Sequence, residues 1–136
     1  MVTLNIKYLG EKNCSLVHEP SGASIMTDAP KDNHGKGESF SATDLFAASL
    51  VSCMLLTMAI KGEPLGYDFE GCYGKVIKEM ASDPRKIKKL TVELHLKKNL
   101  NPEQKNFLEN TAFGCPVKLS LHPDIIIAST FIYDLD

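Results

Sequence analysis

A chain of 136 residues, 43% hydrophobic and 24% charged, has the length and composition of one folded domain and excludes disorder as its dominant state. A net charge of -2 argues against a protein that binds polyanions with its whole surface. Uninterrupted apolar runs are short, so no bilayer-crossing helix is expected. The opening Met1-Val2-Thr3-Leu4-Asn5 carries no basic stretch followed by an apolar one, which points to the cytoplasm.

The predicted elements begin with an alternating segment, Val2 to Tyr8, in which Val2, Leu4, Ile6 and Tyr8 oppose Thr3, Asn5 and Lys7. That period of two marks a half-buried strand. Cys14 to Glu19 and Ala23 to Thr27 read as two further strands around the turn Pro20-Ser21-Gly22. Asp28 to Glu38 is polar, contains Pro30, Gly35 and Gly37, and reads as a loop.

A long helix follows from Ala42 to about Lys61. Ser41 is its N-cap, Asp44 completes an S-x-x-D box, and Gly62 with Pro64 ends it. Its residues are apolar on nearly every side, which predicts a central, buried helix. Two long strands, about Tyr67 to Met80 and Ile87 to Lys97, flank the turn Ser82-Asp83-Pro84. In the second, Leu90, Val92, Leu94 and Leu96 alternate with Lys89, Thr91, Glu93, His95 and Lys97, giving one core face and one wet face. Asn101 caps a second helix with Pro102 at its first position and Gln104 closing the box; Gly114 stops it. Cys115-Pro116 starts a short helix to about Leu121, and Ile125 to Tyr133 is the last strand. This order predicts a single α+β domain over residues 1–136 with a mainly antiparallel sheet.

Nine of the fifteen basic residues fall between Lys75 and Lys105, but a solvated strand face accounts for them, and no nucleic-acid partner is expected. His18, His34, His95 and His122 show no ligand spacing, so no metal and no cofactor are expected.

The four cysteines, Cys14, Cys53, Cys72 and Cys115, include no C-x-x-C pair, so any cysteine chemistry must be assembled from distant positions. Cys53 lies mid-helix, with Ser49, Leu50, Leu56 and Thr57 on its face; alone, it reads as a small core hydrophobe or as a reactive thiol. Cys115 stands at a helix N-cap, where unpaired N–H groups and the helix dipole favour the thiolate, so its thiol is expected to be more acidic than usual. Cys14 and Cys72 read as packing residues.

Two segments carry a resemblance. Phe40-Ser41-Ala42-Thr43-Asp44-Leu45-Phe46-Ala47-Ala48-Ser49-Leu50-Val51-Ser52-Cys53 resembles the helix bearing the first cysteine of the OsmC/Ohr family, whose names come from osmotically inducible protein C and organic hydroperoxide resistance protein. Ala112-Phe113-Gly114-Cys115-Pro116-Val117 resembles its second motif. The resemblance implies an intertwined homodimer and a thiol peroxidase that reduces organic hydroperoxides with a dithiol reductant. Cys53 would then attack the peroxide and Cys115 resolve the sulfenic acid.

In peroxidase members of the family an arginine near the N-terminal strands activates the first cysteine, and a glutamate ten residues before that cysteine holds the arginine. This chain has Thr43 there, with Asp44 next to it. Its single arginine is Arg85, and Lys12 is the N-terminal candidate for the cation. The S-x-T-D-L form resembles a different branch from the N-P-E-Q form; Asn101-Pro102-Glu103-Gln104 spells the latter but precedes Cys115 and reads as a helix cap. Lys12, Thr43 and Asp44 are therefore candidate activating or supporting residues. The departures motivate an alternative: an OsmC-like dimer that binds an apolar small molecule at its interface with little peroxidase activity.

Overall fold

A computed structural model describes residues 1–136, which form two compact units, Met1–Phe46 and Ala47–Asp136. In the first unit, β1 (Leu4–Gly10), β2 (Asn13–His18) and β3 (Ser24–Asp28) form an antiparallel meander in the order β1-β2-β3. Register pairs Ile6 with Leu16, Tyr8 with Cys14, Leu16 with Ile25 and Cys14 with Thr27. β1 runs two residues beyond the expected Tyr8, through a register shift to Gly10. Glu11 and Lys12 then turn the chain with left-handed φ values of 52° and 67°. Leu4, Ile6, Tyr8 and Ile25 are exposed, so the alternation produces an apolar sheet face open to solvent in the single chain.

The polar segment after β3 is tied down rather than free. Asp28 donates its N–H to Phe40 O at 3.0 Å and accepts the Glu38 N–H on Oδ2 at 2.9 Å. Lys31–Asn33 forms one 3-10 turn. Gly35 lies against the Ala29 backbone, where an added Cβ would stand 1.7 Å from Ala29 O, so only glycine fits.

The long helix, α1 (Ala42–Gly62), begins in the first unit and runs through the second. The second unit continues with β4 (Tyr73–Ala81), β5 (Lys86–Lys97), α2 (Pro102–Phe113), α3 (Pro116–Ser120) and β6 (Ile126–Leu135). Its sheet has the order β4-β5-β6; β4 and β5 are antiparallel, whereas β5 and β6 are parallel. The α2–α3 segment returns the chain to the same end of the sheet, which makes the parallel pairing possible. β4 starts six residues later than the sequence suggests. A 3-10 turn at Glu63–Leu65 and left-handed glycines at Gly66 and Gly71 keep Tyr67 and Phe69 out of the ladder. Both rings instead pack beside Gly62.

The core is one cluster. Leu90, Val92, Leu94 and Leu96 from β5 meet Ala47, Leu50, Val51, Met54 and Met58 from α1, with Leu108, Ala112 and Cys115 completing it. Burial of each large side chain contributes roughly 1.5–3 kcal/mol. The apolar surface of α1 is thus covered on one face. On its other side Phe46, Leu56 and Ile60 remain exposed, the last two by 59% and 71%. By length and hydropathy alone α1 could cross a membrane, contrary to the expectation from short apolar runs. The packed face against β5 gives it a core role. On the wet side of the sheet, Tyr73 and His95 stack at 4.4 Å, and His95 Nδ1 reaches Asp134 Oδ2 at 2.9 Å.

Candidate functional site: a cysteine pair in the second unit

Cys53 and Cys115 are both free thiols in the second unit, and Cys53 stands near enough to Cys115 to push its thiol upward. Each arrives by a separate local logic. Cys53 sits on α1 next to buried Met54, half-buried on the same stripe as exposed Phe46 and Ile60, which lie about two turns to either side of it. One turn further on, Thr57 Oγ1 stands 3.9 Å from the Cys53 sulfur.

Cys115 follows directly on α2. That helix is set by a reciprocal box in which Gln104 N–H donates to Asn101 Oδ1 and Asn101 N–H donates to Gln104 Oε1, each at 2.9 Å. Gly114 closes it, and the Cys115 N–H donates to Ala112 O at 3.2 Å. Cys115 is then the N-cap of α3, accepting the Lys118 N–H on its sulfur at 3.4 Å, with Pro116 at the first helical position.

The cap geometry agrees with the sequence, but the expected acidity is reversed. Burial pushes the Cys115 thiol above its ordinary value and outweighs the lowering pull of the Lys118 N–H. The neighbouring Cys53 thiol pushes it up further. Cys115 is fully buried, and the cost of a charge without water exceeds what a one-turn helix end returns.

The other candidates lie in the first unit. Ser41 and Asp44 form the expected reciprocal box: Asp44 N–H donates to Ser41 Oγ at 3.0 Å, and Ser41 N–H donates to Asp44 Oδ2 at 2.9 Å. Thr43 Oγ1 lies 3.1 Å from Ser41 Oγ, so Thr43 and Asp44 belong to one capping cluster. Lys12 stands in the β1–β2 turn, its N–H donating to Tyr8 Oη at 3.3 Å and its carbonyl accepting the Ala29 N–H at 3.1 Å. Arg85 lies in the turn between β4 and β5. Cys14 lines an apolar cavity of about 500 Å³ in the first unit with Ile6, Leu16, Thr27, Ala42, Leu45 and Phe46. Cys72 packs against the core, and burial raises its thiol. No group of three or more His, Cys, Asp or Glu side chains is arranged to hold a metal ion. Thr57 is the residue to which sequence reasoning gave no role, although its spacing of four from Cys53 was the available signal.

Residues 35–129 match the family model for OsmC-like protein. The chain belongs to the OsmC-like family. A crystal structure from Psychrobacter arcticus 273-4, named for an osmotic stress induced and detoxification response, is 40% identical. It superposes with a TM-score of 0.91 over 96% of each chain. The OsmC-like fold extends to more distant structures. The organic hydroperoxide resistance protein OsmC from Legionella pneumophila is 18% identical, with a TM-score of 0.74 over 97% of this chain and 96% of that one. OhrB of Bacillus subtilis, an organic hydroperoxide resistance protein, is 16% identical, with a TM-score of 0.68 over 96% and 97%. Among curated proteins no match was found. The mixed α+β architecture and the family expected from the two cysteine motifs are thus both found.

Proposed function

We propose that this OsmC-like chain is a thiol peroxidase that reduces organic hydroperoxides through Cys53 and Cys115. The observation that carries the reading is the pair of free thiols, half-buried Cys53 near fully buried Cys115, in which burial pushes the Cys115 thiol upward. A protonated Cys115 can donate its S–H to a Cys53 thiolate and thereby stabilise the charge on the attacking sulfur. The division of roles follows: the half-buried sulfur attacks and the fully buried one waits.

In the first step the Cys53 sulfur forms an S–O bond with the peroxide and the O–O bond breaks. The alkoxide leaves and takes the proton released by the Cys53 thiol, giving an alcohol and a sulfenic acid. Cys115 then attacks that sulfur; its proton and the sulfenic hydroxyl leave as water, and a disulfide forms. A dithiol reductant takes over the disulfide by exchange and restores both thiols. The cycle needs a reducing compartment, and we assign the chain to the cytoplasm on that ground.

We further propose a homodimer. The open apolar stripe on α1 and the open apolar face of the first unit's sheet are the surfaces that a second copy would cover. By the family resemblance, Lys12, Thr43 and Asp44 are the proposed supporting residues, with Lys12 as the cation. Turnover of tert-butyl hydroperoxide with dithiothreitol is the test. A wild type no faster than Cys53→Ser removes the proposal.

The apolar cavity of about 500 Å³ in the first unit favours a second reading, in which the dimer holds an apolar small molecule. Native mass spectrometry of the purified dimer tests it. A ligand-free dimer with rapid peroxide turnover dismisses it.

A further inference from the structure

A thiolate that attacks a peroxide needs a donor for the substrate's oxygens as well as a partner for its own charge. Within α1 the backbone supplies none near Cys53, because interior helix N–H groups are already bonded to carbonyls one turn back. The donor must be a side chain. Helical side chains lean toward the N-terminus, so a residue four positions after Cys53 overhangs it. That residue is Thr57, half-buried, and its hydroxyl stands 3.9 Å from the sulfur.

That separation is long for a strong direct bond between hydroxyl and sulfur. It suits an oxygen placed between them. An oxygen about 2.8 Å from the hydroxyl and about 3.2 Å from the sulfur, a near-attack distance, closes a triangle on a 3.9 Å base without strain. Its neighbours fit the rest of the substrate: Leu56 and Ile60, exposed in the single chain on the stripe that a second copy would cover, would form an apolar wall for an alkyl group at that interface.

We propose that Thr57 binds the peroxide against Cys53, its hydroxyl hydrogen-bonded to the oxygen that the sulfur attacks, so that the O–O bond is held in line for displacement. This rests on the peroxidase reading and adds to it a residue that touches substrate. The electron pair of the broken O–O bond stays on the alkoxide oxygen, which takes the proton released by Cys53 and leaves as the alcohol; the oxygen held by Thr57 becomes the sulfenic hydroxyl on Cys53. Thr57 itself is neither oxidised nor reduced.

The experiment compares two reactions of the same sulfur in wild type, Thr57→Val and Thr57→Ser. One is the second-order oxidation of Cys53 by tert-butyl hydroperoxide; the other is its alkylation by iodoacetamide, which brings no peroxide oxygen. Thr57→Val, nearly the same shape without the hydroxyl, is expected to slow oxidation by about tenfold or more. It should leave the alkylation rate within about threefold of wild type, and Thr57→Ser should restore oxidation to the same margin. Equal oxidation rates for Thr57→Val and an active wild type overturn the role of Thr57 alone. So does a parallel fall in alkylation, which would assign Thr57 to the thiol's own environment. A wild type no faster than Cys53→Ser overturns the peroxidase reading and the role of Thr57 with it.

Discussion

A Cβ placed on Gly74 would stand 2.3 Å from Cγ1 of Val51 and 2.9 Å from Cδ2 of Leu94. Strand β4 therefore touches α1 through bare backbone, two residues before Cys53. Gly74→Ala is expected to force the helix and strand apart and to cost about 1–3 kcal/mol. Urea unfolding measures the cost. The displacement should also slow disulfide formation between Cys53 and Cys115, because both sulfurs are held by this core.

Removal of the second thiol separates the two chemical steps. With Cys115→Ser, one equivalent of peroxide should still be consumed in the absence of reductant, while no Cys53–Cys115 disulfide forms. The sulfenic acid on Cys53 should then persist long enough for dimedone to trap it, with the adduct read by mass spectrometry. Absence of the adduct after peroxide consumption would contradict the assigned order of attack.

Stability should fall in alkali. Burial holds the Cys72, Cys115 and Tyr133 protons above their ordinary values, and the Glu109 carboxylate reinforces this at Tyr133. The folded state thus binds these protons more tightly than the unfolded chain. Their contribution is complete below about pH 8.5, the ordinary thiol value. It is lost as pH rises through the range in which the unfolded thiols, and then the unfolded tyrosine, ionise while the folded groups do not. Urea midpoints should decline from about pH 8.5 to about pH 11, and Tyr133→Phe should flatten the part of that decline above about pH 10.

The helix caps give a measurable local effect. Asn101→Ala and Ser41→Ala each remove an acceptor for a backbone N–H and are expected to cost about 1 kcal/mol. The urea midpoint should move with an unchanged slope, as for a loss of stability without a change in surface exposed. Asn101→Asp should retain most of the stability, since a carboxylate accepts the same bond.

The caps were legible because they depend on residues three positions apart. Ser41 with Asp44, and Asn101 with Gln104, are complete within one turn. The core face of β5 was legible because alternation fixes which side chains share a face. The direction of β6 was not, since alternation is identical in parallel and antiparallel strands. The start of β4 was obscured by Tyr67 and Phe69, which alternate as a strand would while Gly66 and Gly71 turn the backbone out of the ladder. At Cys115 the local motif predicted the cap correctly and the acidity wrongly, because burial depends on α1 and β5, which lie far away in sequence. The pairing of Cys53 with Cys115 came from the resemblance of two motifs; neither segment alone specifies the other. The open side of α1 was also hidden, since a helix apolar all round reads the same whether the chain or a second molecule covers it.

The parallel pairing of β5 with β6 has a consequence for the order of assembly. Hairpin β4–β5 closes over a four-residue turn, but Leu90 meets Ile127 only after the whole α2–α3 segment has been laid down. Closing that longer loop costs more chain entropy, so it belongs to the late part of folding. Cys115 is carried inside the loop. During maturation Cys53 therefore passes through a stage without Cys115, its proposed redox partner, and on that proposal an oxidant met at that stage would find a lone thiol that has nothing to rescue it from over-oxidation.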